Sequence, residues 1–272
     1  MDLRRAAIRH ARTQTRAIHW IGMINYSEKD KDEIRLNIKK DLEILSSANH
    51  YIQLQFSKIK EFLGCRILEI GAGIGNHTSF LLQTHPELLV AIEKEGELCR
   101  ILKDKFGEDI DILPIELSDI NGSTLETLKS LRIDTIISIN VLEHIEDDFA
   151  CLQSLANILV PGGRIITIAP ASKCLFSELD RQYGHYRRYS RATFADYATR
   201  LNLSEELNSY FNMSGWLAWF FMSRIGNTGR LNERGVRIYD HLLPLQDFIE
   251  TRLPTIPFGL SVVNVLRKKE VT

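Results

Sequence analysis

The sequence predicts an α/β fold in which a mostly parallel sheet carries helices on both faces. From residue 65 onward, short apolar and β-branched segments alternate with helix-length segments, as in parallel sheets with helical crossovers. A glycine-rich turn follows the first apolar segment, and a Pro-Gly-Gly turn at 161–163 precedes the fifth. The predicted strands, seven in number, are residues 65–70, 88–93, 109–115, 133–139, 163–170, 203–211 and 259–268.

Helices are predicted between these strands, and two helical additions are predicted outside the alternation. The helices of the alternation are residues 75–84, 95–106, 122–131, 146–159 and 191–200. An N-terminal helical extension is expected over 1–63, and it starts with a basic tail at 1–25. A helical insertion over 214–252 is expected to form a lid or substrate cap on the main domain, residues 64–272.

Capping residues support two of these helices. The N-terminal extension is predicted to contain a helix over 28–63, with Ser27 as its N-cap and Gly64 as its stop. Its apolar stripe among charged residues is Ile34, Ile38, Leu42 and Leu45. Ser190 is the predicted N-cap of the helix over 191–200.

Composition excludes several classes of protein. Among 272 residues, 44% are hydrophobic and 25% are charged, which is typical of a globular chain. The net charge of −1 argues against a bulk polyanion binder. The four cysteines show no CxxC spacing, which argues against a zinc site or a disulfide framework and favours a reducing, cytoplasmic location. The N-terminus has no continuous apolar segment, so no secretory signal is expected.

The first predicted strand runs into the glycine-rich turn LEIGAGIGNHT, residues 68–78. Gly71 and Gly73 allow a ligand to approach the backbone at the carboxyl edge of the sheet. Asn76 stands where a dinucleotide-binding turn has its third glycine. Glu69 would repel a pyrophosphate but suits a ligand that carries an ammonium and a sulfonium. These residues disfavour an NAD-linked oxidoreductase.

Several motifs, in order, resemble those of the class I S-adenosylmethionine (SAM)-dependent methyltransferases. The resemblance covers about residues 64–211 and the last strand, and it implies a Rossmann-like fold with SAM as cofactor. Glu93, at the end of the second strand, matches the acid that binds the ribose hydroxyls. Glu116 and Leu117 match the pair at the adenine edge, where the family usually has Asp; Asp119 is a competing candidate. The cofactor-binding residues implied are Glu69, Gly71, Ala72, Gly73, Gly75, Glu93, Lys94, Glu116, Leu117, Asn140 and Val141.

Two histidines are candidates for the general base that a hydroxyl acceptor would need. His144 belongs to the motif after the fourth strand, and His185 lies in the segment after the fifth. A carbon nucleophile might instead use Glu143 or a tyrosine. No metal is expected, because the adjacent residues Glu143 and His144 would not face the same way on a helix and no third ligand is evident.

The segment LDRQYGHYRRYS, residues 179–190, is rich in arginine and tyrosine. It resembles a Gly-His-x-Arg-Arg-Tyr-Ser signature in a subfamily of small-molecule methyltransferases. In that fold the loop after the fifth strand helps to form the substrate pocket. The substrate contacts this predicts are Asp180, Tyr186, Arg187, Arg188, Tyr189 and Trp216.

The arginines of this segment allow two interpretations. Arg187 and Arg188 could bind a carboxylate or phosphate of an anionic acceptor, or Asp180 could neutralise one of them in a structural ion pair. The apolar part of such an acceptor would lie against the aromatic cluster that contains Trp216 and Trp219. Simple core packing of a helical lid is the alternative for that cluster.

Methylation of a small molecule is the favoured function, and two alternative functions remain open. A nucleic-acid methyltransferase would need a basic face, which the net charge does not favour. A non-catalytic scaffold could contact a membrane peripherally through residues 1–25 and 214–225. The sequence leaves the oligomeric state and the methylated atom open.

Overall fold

The computed structural model describes residues 40, 42–44, 46, 48–224, 233–253 and 255–270. The predictions for the basic tail at 1–25, for the Ser27 cap and for Ile34, Ile38 and Leu45 lie outside these residues. So do residues 225–232 of the predicted insertion.

The described residues form a seven-stranded sheet in the order β3-β2-β1-β4-β5-β7-β6. The first five strands are parallel, and β7 runs antiparallel between β5 and β6. The strands are β1 Arg66–Ile70, β2 Leu88–Ile92, β3 Asp111–Leu113, β4 Thr135–Ile139, β5 Arg164–Pro170, β6 Leu203–Phe211 and β7 Ser261–Lys268. The predicted α/β fold with a mostly parallel sheet is therefore confirmed.

The central strands are apolar along their whole length because helices cover both faces of the sheet. In β1, Leu68 lies opposite Val90 of β2 and Ile136 of β4, and all three side chains are buried. Such continuous apolar strands are typical of parallel sheets that are covered on both sides. The order of strands changes direction at β1 and β4, and the carboxyl ends of these two strands meet at the edge where ligands bind in such sheets.

Nine α-helices lie wholly within the described residues, and residues 40, 42–44 and 46 are also helical. The nine are α1 Asn49–Ile59, α2 Thr78–Leu82, α3 Gly96–Phe106, α4 Gly122–Ser130, α5 Asp148–Ile158, α6 Glu178–Gln182, α7 Arg191–Arg200, α8 Met213–Arg224 and α9 Glu233–Glu250. Ser190 caps α7 as predicted, because its hydroxyl accepts the backbone N–H of Thr193.

Two helix boundaries differ from the prediction. The helix expected over 28–63 is not continuous, because Ala48 leaves the helical conformation (φ −87°, ψ 67°) before α1 begins. The helix expected over 75–84 begins only at Thr78, because turns occupy residues 73–77 of the glycine loop. A short helix, α6, also falls inside the arginine-rich segment, where none was predicted.

The N-terminal extension and the insertion pack against each other. Asp240 of α9 accepts the backbone N–H of Tyr51 at 2.8 Å and that of His50 at 3.2 Å, so it serves as the cap of α1. Lys58 of α1 pairs with Asp247 of α9 at 2.8 Å. None of the helices in the described residues has the length and apolarity needed to cross a membrane.

Candidate functional site

The glycine loop turns the chain at the carboxyl end of β1. Gly71 has φ +65°, and its N–H donates to the carbonyl of Ile92 at 2.8 Å. A Cβ added at Gly71 would lie 2.6 Å from Cγ2 of Val141, so only glycine lets the loop reach the segment after β4. The loop and that segment are therefore in contact, as the predicted cofactor site requires.

Glu69 is a buried carboxylate beneath this loop. Its side chain is 4% exposed and accepts the hydroxyl of Thr78 at 2.6 Å. The pKa of Glu69 is raised to about 7, chiefly by burial; the hydrogen bond from Thr78 lowers it and the nearby charge of Glu93 raises it. A cation bound at this place would offset the cost of burying the charge.

Glu93 ends β2 at the same edge of the sheet. Its two carboxylate oxygens accept the backbone N–H of Gly73 at 2.9 Å and that of Glu95 at 3.0 Å. The carboxylate is thus held at the mouth of the glycine loop. Lys94 beside it pairs with Glu116 at 3.4 Å on the surface, which joins the predicted ribose and adenine edges.

The other predicted cofactor residues have mixed surroundings. Leu117 packs against the main apolar core from the turn after β3, and Asn140 takes φ +53° at the end of β4. Ala72 is buried in the second apolar core. A Cβ at Gly75 would lie 2.3 Å from the ring of Phe106, so Gly75 is required for helix packing. The backbone contacts with the cofactor that the resemblance implies for Ala72 and Gly75 stay predictions.

The N-terminal extension reaches the glycine loop, which the sequence did not indicate. The amide of Asn76 donates to the carbonyl of Leu42 at 3.3 Å. A Cβ at Gly73 would lie 3.3 Å from Cδ1 of Leu42. Farther along, Tyr51 of α1 hydrogen-bonds to Ser261, and the charge of Glu143 acts on it. Residues of the extension thus border both halves of the site.

The histidines predicted as bases lie side by side. The rings of His144 and His185 have centroids 4.7 Å apart at 80°. Their ligand atoms and a carboxylate oxygen of Glu143 all lie within 4.8 Å of one another. The expectation that Glu143 and His144 have no third ligand near them is therefore wrong, because His185 lies beside both. Glu143 and His144 sit in a tight 3₁₀ turn after β4, and the third residue comes from a distant loop.

The electrostatics of this cluster differ among its members. Burial lowers the pKa of His144 to about 3, assisted by His185 and Lys94, so the ring is neutral at physiological pH. Burial raises the pKa of Glu143 to about 7. Among the described residues, Oε2 of Glu143 has no hydrogen-bond partner, although the residue is only 1% exposed.

Asp180 orients His185. Its Oδ1 lies 3.0 Å from His185 Nδ1 and accepts Arg188 Nε at 2.8 Å, while Oδ2 accepts the backbone N–H of Ser177. Burial raises the pKa of Asp180, but the hydrogen bond from His185 and the charge of Arg188 outweigh it and leave that pKa below its usual value. The carboxylate is therefore ionised, Nδ1 of His185 donates to it, and Nε2 is left for the cluster.

The arginines of the segment are bound to acids of the protein. Arg188 is buried against Asp180 and donates to the carbonyl of Ala171, which is the structural ion pair weighed above. Arg187 pairs with Asp148, whose other oxygen accepts the hydroxyl of Tyr189 at 2.8 Å. Arg181 pairs with Glu178.

The predicted substrate contacts therefore need correction at three residues. Asp180, Arg188 and Tyr189 are at most 3% exposed and serve the fold. Tyr186 is half-buried, and its N–H donates to the carbonyl of Glu143 at 2.8 Å, which ties the segment to the cluster. Sequence reasoning missed Asp148 altogether, because its partners come from residues about forty positions later.

The insertion covers this segment through two tryptophans. The guanidinium of Arg188 lies 4.9 Å from the ring of Trp219, and Trp216 stacks on Phe220 at 5.2 Å. Both indole N–H groups are buried without a hydrogen-bond partner in the described part of the chain. An acceptor bound against the helical insertion could accept hydrogen bonds from these donors, and the predicted contact of Trp216 with substrate stays a prediction.

Comparison with known proteins shows the same family of folds. Residues 68–165 match the family described as a methyltransferase domain. A ribosomal RNA small subunit methyltransferase A of Pelagibacter ubique is 30% identical over 101 residues, which are 37% of this chain and 36% of that protein. A ubiquinone biosynthesis O-methyltransferase of Ruegeria pomeroyi is 29% identical over 108 residues, 38% of this chain and 40% of that protein. The chain thus aligns with less than half the length of these curated relatives.

A solved structure extends the match to most of the chain. An S-adenosylmethionine-dependent methyltransferase of Mesorhizobium loti superposes with a TM-score of 0.52 at 11% identity, over 79% of this chain and 97% of that one. The chain therefore has the class I methyltransferase fold, and residues 68–165 match a methyltransferase domain. The Gly-His-x-Arg-Arg-Tyr-Ser subfamily stays a prediction.

Proposed function

We propose that this protein transfers a methyl group from SAM to a small-molecule acceptor. One observation carries the proposal: Val141 closes against Gly71, so the acid-lined glycine loop and the His144–His185 pair meet at one edge of the sheet. SAM supplies an activated methyl group, and the protein has to hold it in line with the acceptor.

The residues of the glycine loop fit SAM by charge and shape. The buried carboxylate of Glu69 suits a ligand with ammonium and sulfonium groups, and Glu93 at the end of β2 suits the ribose hydroxyls. Close approach of a ligand to the backbone needs the positive φ of Gly71. Their part in the reaction is to bind and orient the cofactor.

His185 is the better of the two candidate bases. Asp180 fixes its ring and leaves Nε2 to take a proton from an acceptor hydroxyl. His144, with its pKa lowered to about 3, is a much weaker base. Its ring is suited to accept a hydrogen bond and to position the acceptor.

The arginines favour a small molecule over RNA as the acceptor. Arg181, Arg187 and Arg188 each pair with a carboxylate, so the segment is not a basic surface for phosphates. The same pairing gives no support to an anionic acceptor held by Arg187 or Arg188. Because the relatives include a ribosomal RNA methyltransferase, RNA methylation is the candidate that a test must exclude.

The test uses SAM labelled in its methyl group. Full-length protein is incubated with a metabolite extract in one reaction and with bulk tRNA and rRNA in another. We expect label in the small-molecule fraction; label in RNA instead would refute the acceptor class. Glu93→Gln should lose most of the SAM affinity measured by calorimetry, whereas the exposed Glu126→Gln, a matched control on α4, should retain it. No SAM binding by the native protein would refute the proposal as a whole.

A further inference from the structure

Three side chains with metal-binding atoms converge from two loops at the acceptor side of the site. Glu143 and His144 come from the turn after β4, and His185 comes from the loop after β5. Their ligand atoms lie within 4.8 Å of one another. Two imidazoles and one carboxylate are the protein ligands of catalytic zinc sites that keep a further position open for water or substrate.

Glu143 supplies an independent sign that a ligand belongs here. Its Oε2 is buried and lacks a hydrogen-bond partner in the described residues. A buried carboxylate oxygen without a partner is costly, and native proteins avoid it unless something else compensates. Asp180 and Asp148 each pair with an arginine of the loop. In the described residues the carboxylate of Glu143 has no such hydrogen bond, because Arg188 donates to Asp180.

The two histidines are held as metal ligands usually are. His185 donates through Nδ1 to the buried Asp180, and His144 hydrogen-bonds to the backbone of Tyr183. Second-sphere carboxylates and carbonyls commonly fix ligating imidazoles in this way, so that the other ring nitrogen faces the metal. The ring centroids are 4.7 Å apart, and one nitrogen of each ring lies within 4.8 Å of the other, near enough for both to contact one ion.

We propose that Glu143, His144 and His185 bind a divalent transition-metal ion, of the kind that zinc or cobalt represents, with an open position for the acceptor oxygen. The metal site is independent of the methyl transfer, but its role there rests on the proposed function. With the metal bound, His185 is a ligand and no longer the base. The acceptor hydroxyl gives its proton to a solvent water, its oxygen forms the new bond to the methyl carbon, and the electron pair of the broken carbon–sulfur bond stays on sulfur.

The binding test uses full-length protein stripped with chelator and titrated with Zn²⁺ by calorimetry and with Co²⁺ by visible absorption. We expect one tight equivalent. Glu143→Gln and His185→Gln should each raise the dissociation constant at least about 100-fold. His85→Asn, which keeps the positive φ of an exposed residue, is the matched control and should bind as the native protein does.

A second control excludes another histidine pair. His50 lies beside Asp240 and packs against His241, so His50→Gln identifies any weak binding there and should leave the tight equivalent unchanged. X-ray absorption of the cobalt-loaded native protein should show imidazole and oxygen neighbours without sulfur, a result that does not depend on a variant folding. No tight equivalent, sulfur ligation, or full binding by folded Glu143→Gln would overturn the proposal.

Failure of the metal site and failure of the proposed function give different results. Stripped protein should still bind SAM through the glycine loop but lose acceptor methylation, which Zn²⁺ or Co²⁺ should restore. SAM binding and methylation that persist without metal would refute the metal's part in methyl transfer and leave the proposed function standing. Metal binding without SAM binding would do the reverse.

Discussion

The two halves of the site differ in how their charged groups are satisfied. In the glycine loop, Glu69 and Glu93 are met by one hydroxyl and by backbone N–H groups, so a bound cation or hydroxyl would add to their partners. In the loop after β5, the charged side chains satisfy one another: Asp180 holds Arg188 and His185. The carboxylates of the glycine loop (the cofactor half) can therefore still bind a ligand, whereas most charged side chains of the loop after β5 (the acceptor half) pair with one another.

The difference teaches where an acceptor can be recognised. The arginines that first suggest an anion site pair with carboxylates of the protein, and the buried groups without a partner in the described residues include Oε2 of Glu143 and the indole N–H groups of Trp216 and Trp219. Under the proposed function, recognition on the acceptor side would depend on Glu143, the two histidines and these indole donors. Substitutions in the acceptor half should lower the free energy of unfolding, and substitutions in the cofactor half should weaken SAM binding.

The largest effect is expected from Asp148→Asn in the acceptor half. Asp148 is buried and accepts the hydroxyls of Tyr189 and Tyr197 as well as pairing with Arg187. Loss of its charge should lower the free energy of unfolding by about 3 kcal/mol, measured by urea denaturation.

The neighbouring residue is a matched control for this variant. Asp147 is exposed and caps α5 by accepting the backbone N–H of Ala150 at 2.9 Å. Asparagine caps helices as well as aspartate does, so Asp147→Asn should cost less than about 0.5 kcal/mol. Equal losses of unfolding free energy in the two variants would mean that the ion pair and hydrogen bonds of Asp148 do not stabilise the acceptor half.

A smaller but more specific effect is expected in the cofactor half from Gly71→Ala. Alanine at this position would have a strained positive φ, and its Cβ would lie 2.6 Å from Cγ2 of Val141. Strain of about 1–3 kcal/mol should weaken SAM binding between about fivefold and about 160-fold by calorimetry. Gly107→Ala carries a similar φ with open space around it, so it should leave SAM affinity unchanged. A normal affinity in Gly71→Ala would show that the loop does not depend on this contact.

The cofactor half could be predicted from the sequence because the sheet fixes it. Strand ends and glycines are local signals, and they predict that Glu69, Gly71 and Glu93 lie at one edge of the sheet. The acceptor half depends on pairs such as Asp148 with Tyr197, which the chain brings together from distant positions. Sequence reasoning could weigh a pairing of Asp180 with an arginine, but no local pattern indicated which arginine it would hold.

The convergence of Glu143, His144 and His185 escaped prediction for a related reason. Adjacent side chains of the 3₁₀ turn at Leu142–His144 point in different directions, but one ligand atom of Glu143 and one of His144 still lie within 4.8 Å of each other. The loop after β5 then supplies the third group, and a link between the two loops confirms their proximity: the N–H of Tyr186 donates to the carbonyl of Glu143.

The smallest expected effect is the pH dependence of SAM binding through Glu69. Burial raises the pKa of this carboxyl to about 7, so about half of the free protein carries a neutral Glu69 at neutral pH. A cationic cofactor favours the carboxylate, so raising the pH should strengthen binding. If binding requires the ionised form, the dissociation constant should fall roughly eightfold between pH 6 and pH 7.5.

Calorimetry on Glu69→Gln separates this effect from other titrations. The variant keeps the shape of the side chain but has no proton to lose, so its affinity should be no higher than that of the native protein at pH 6 and should not change with pH. Glu126→Gln, far from the loop, should keep the native slope. If the pH dependence of SAM binding persisted in Glu69→Gln, another group would be responsible for it. The proposed difference, in which carboxylates of the glycine loop bind a ligand and charged side chains after β5 pair with one another, would then lose its chief support.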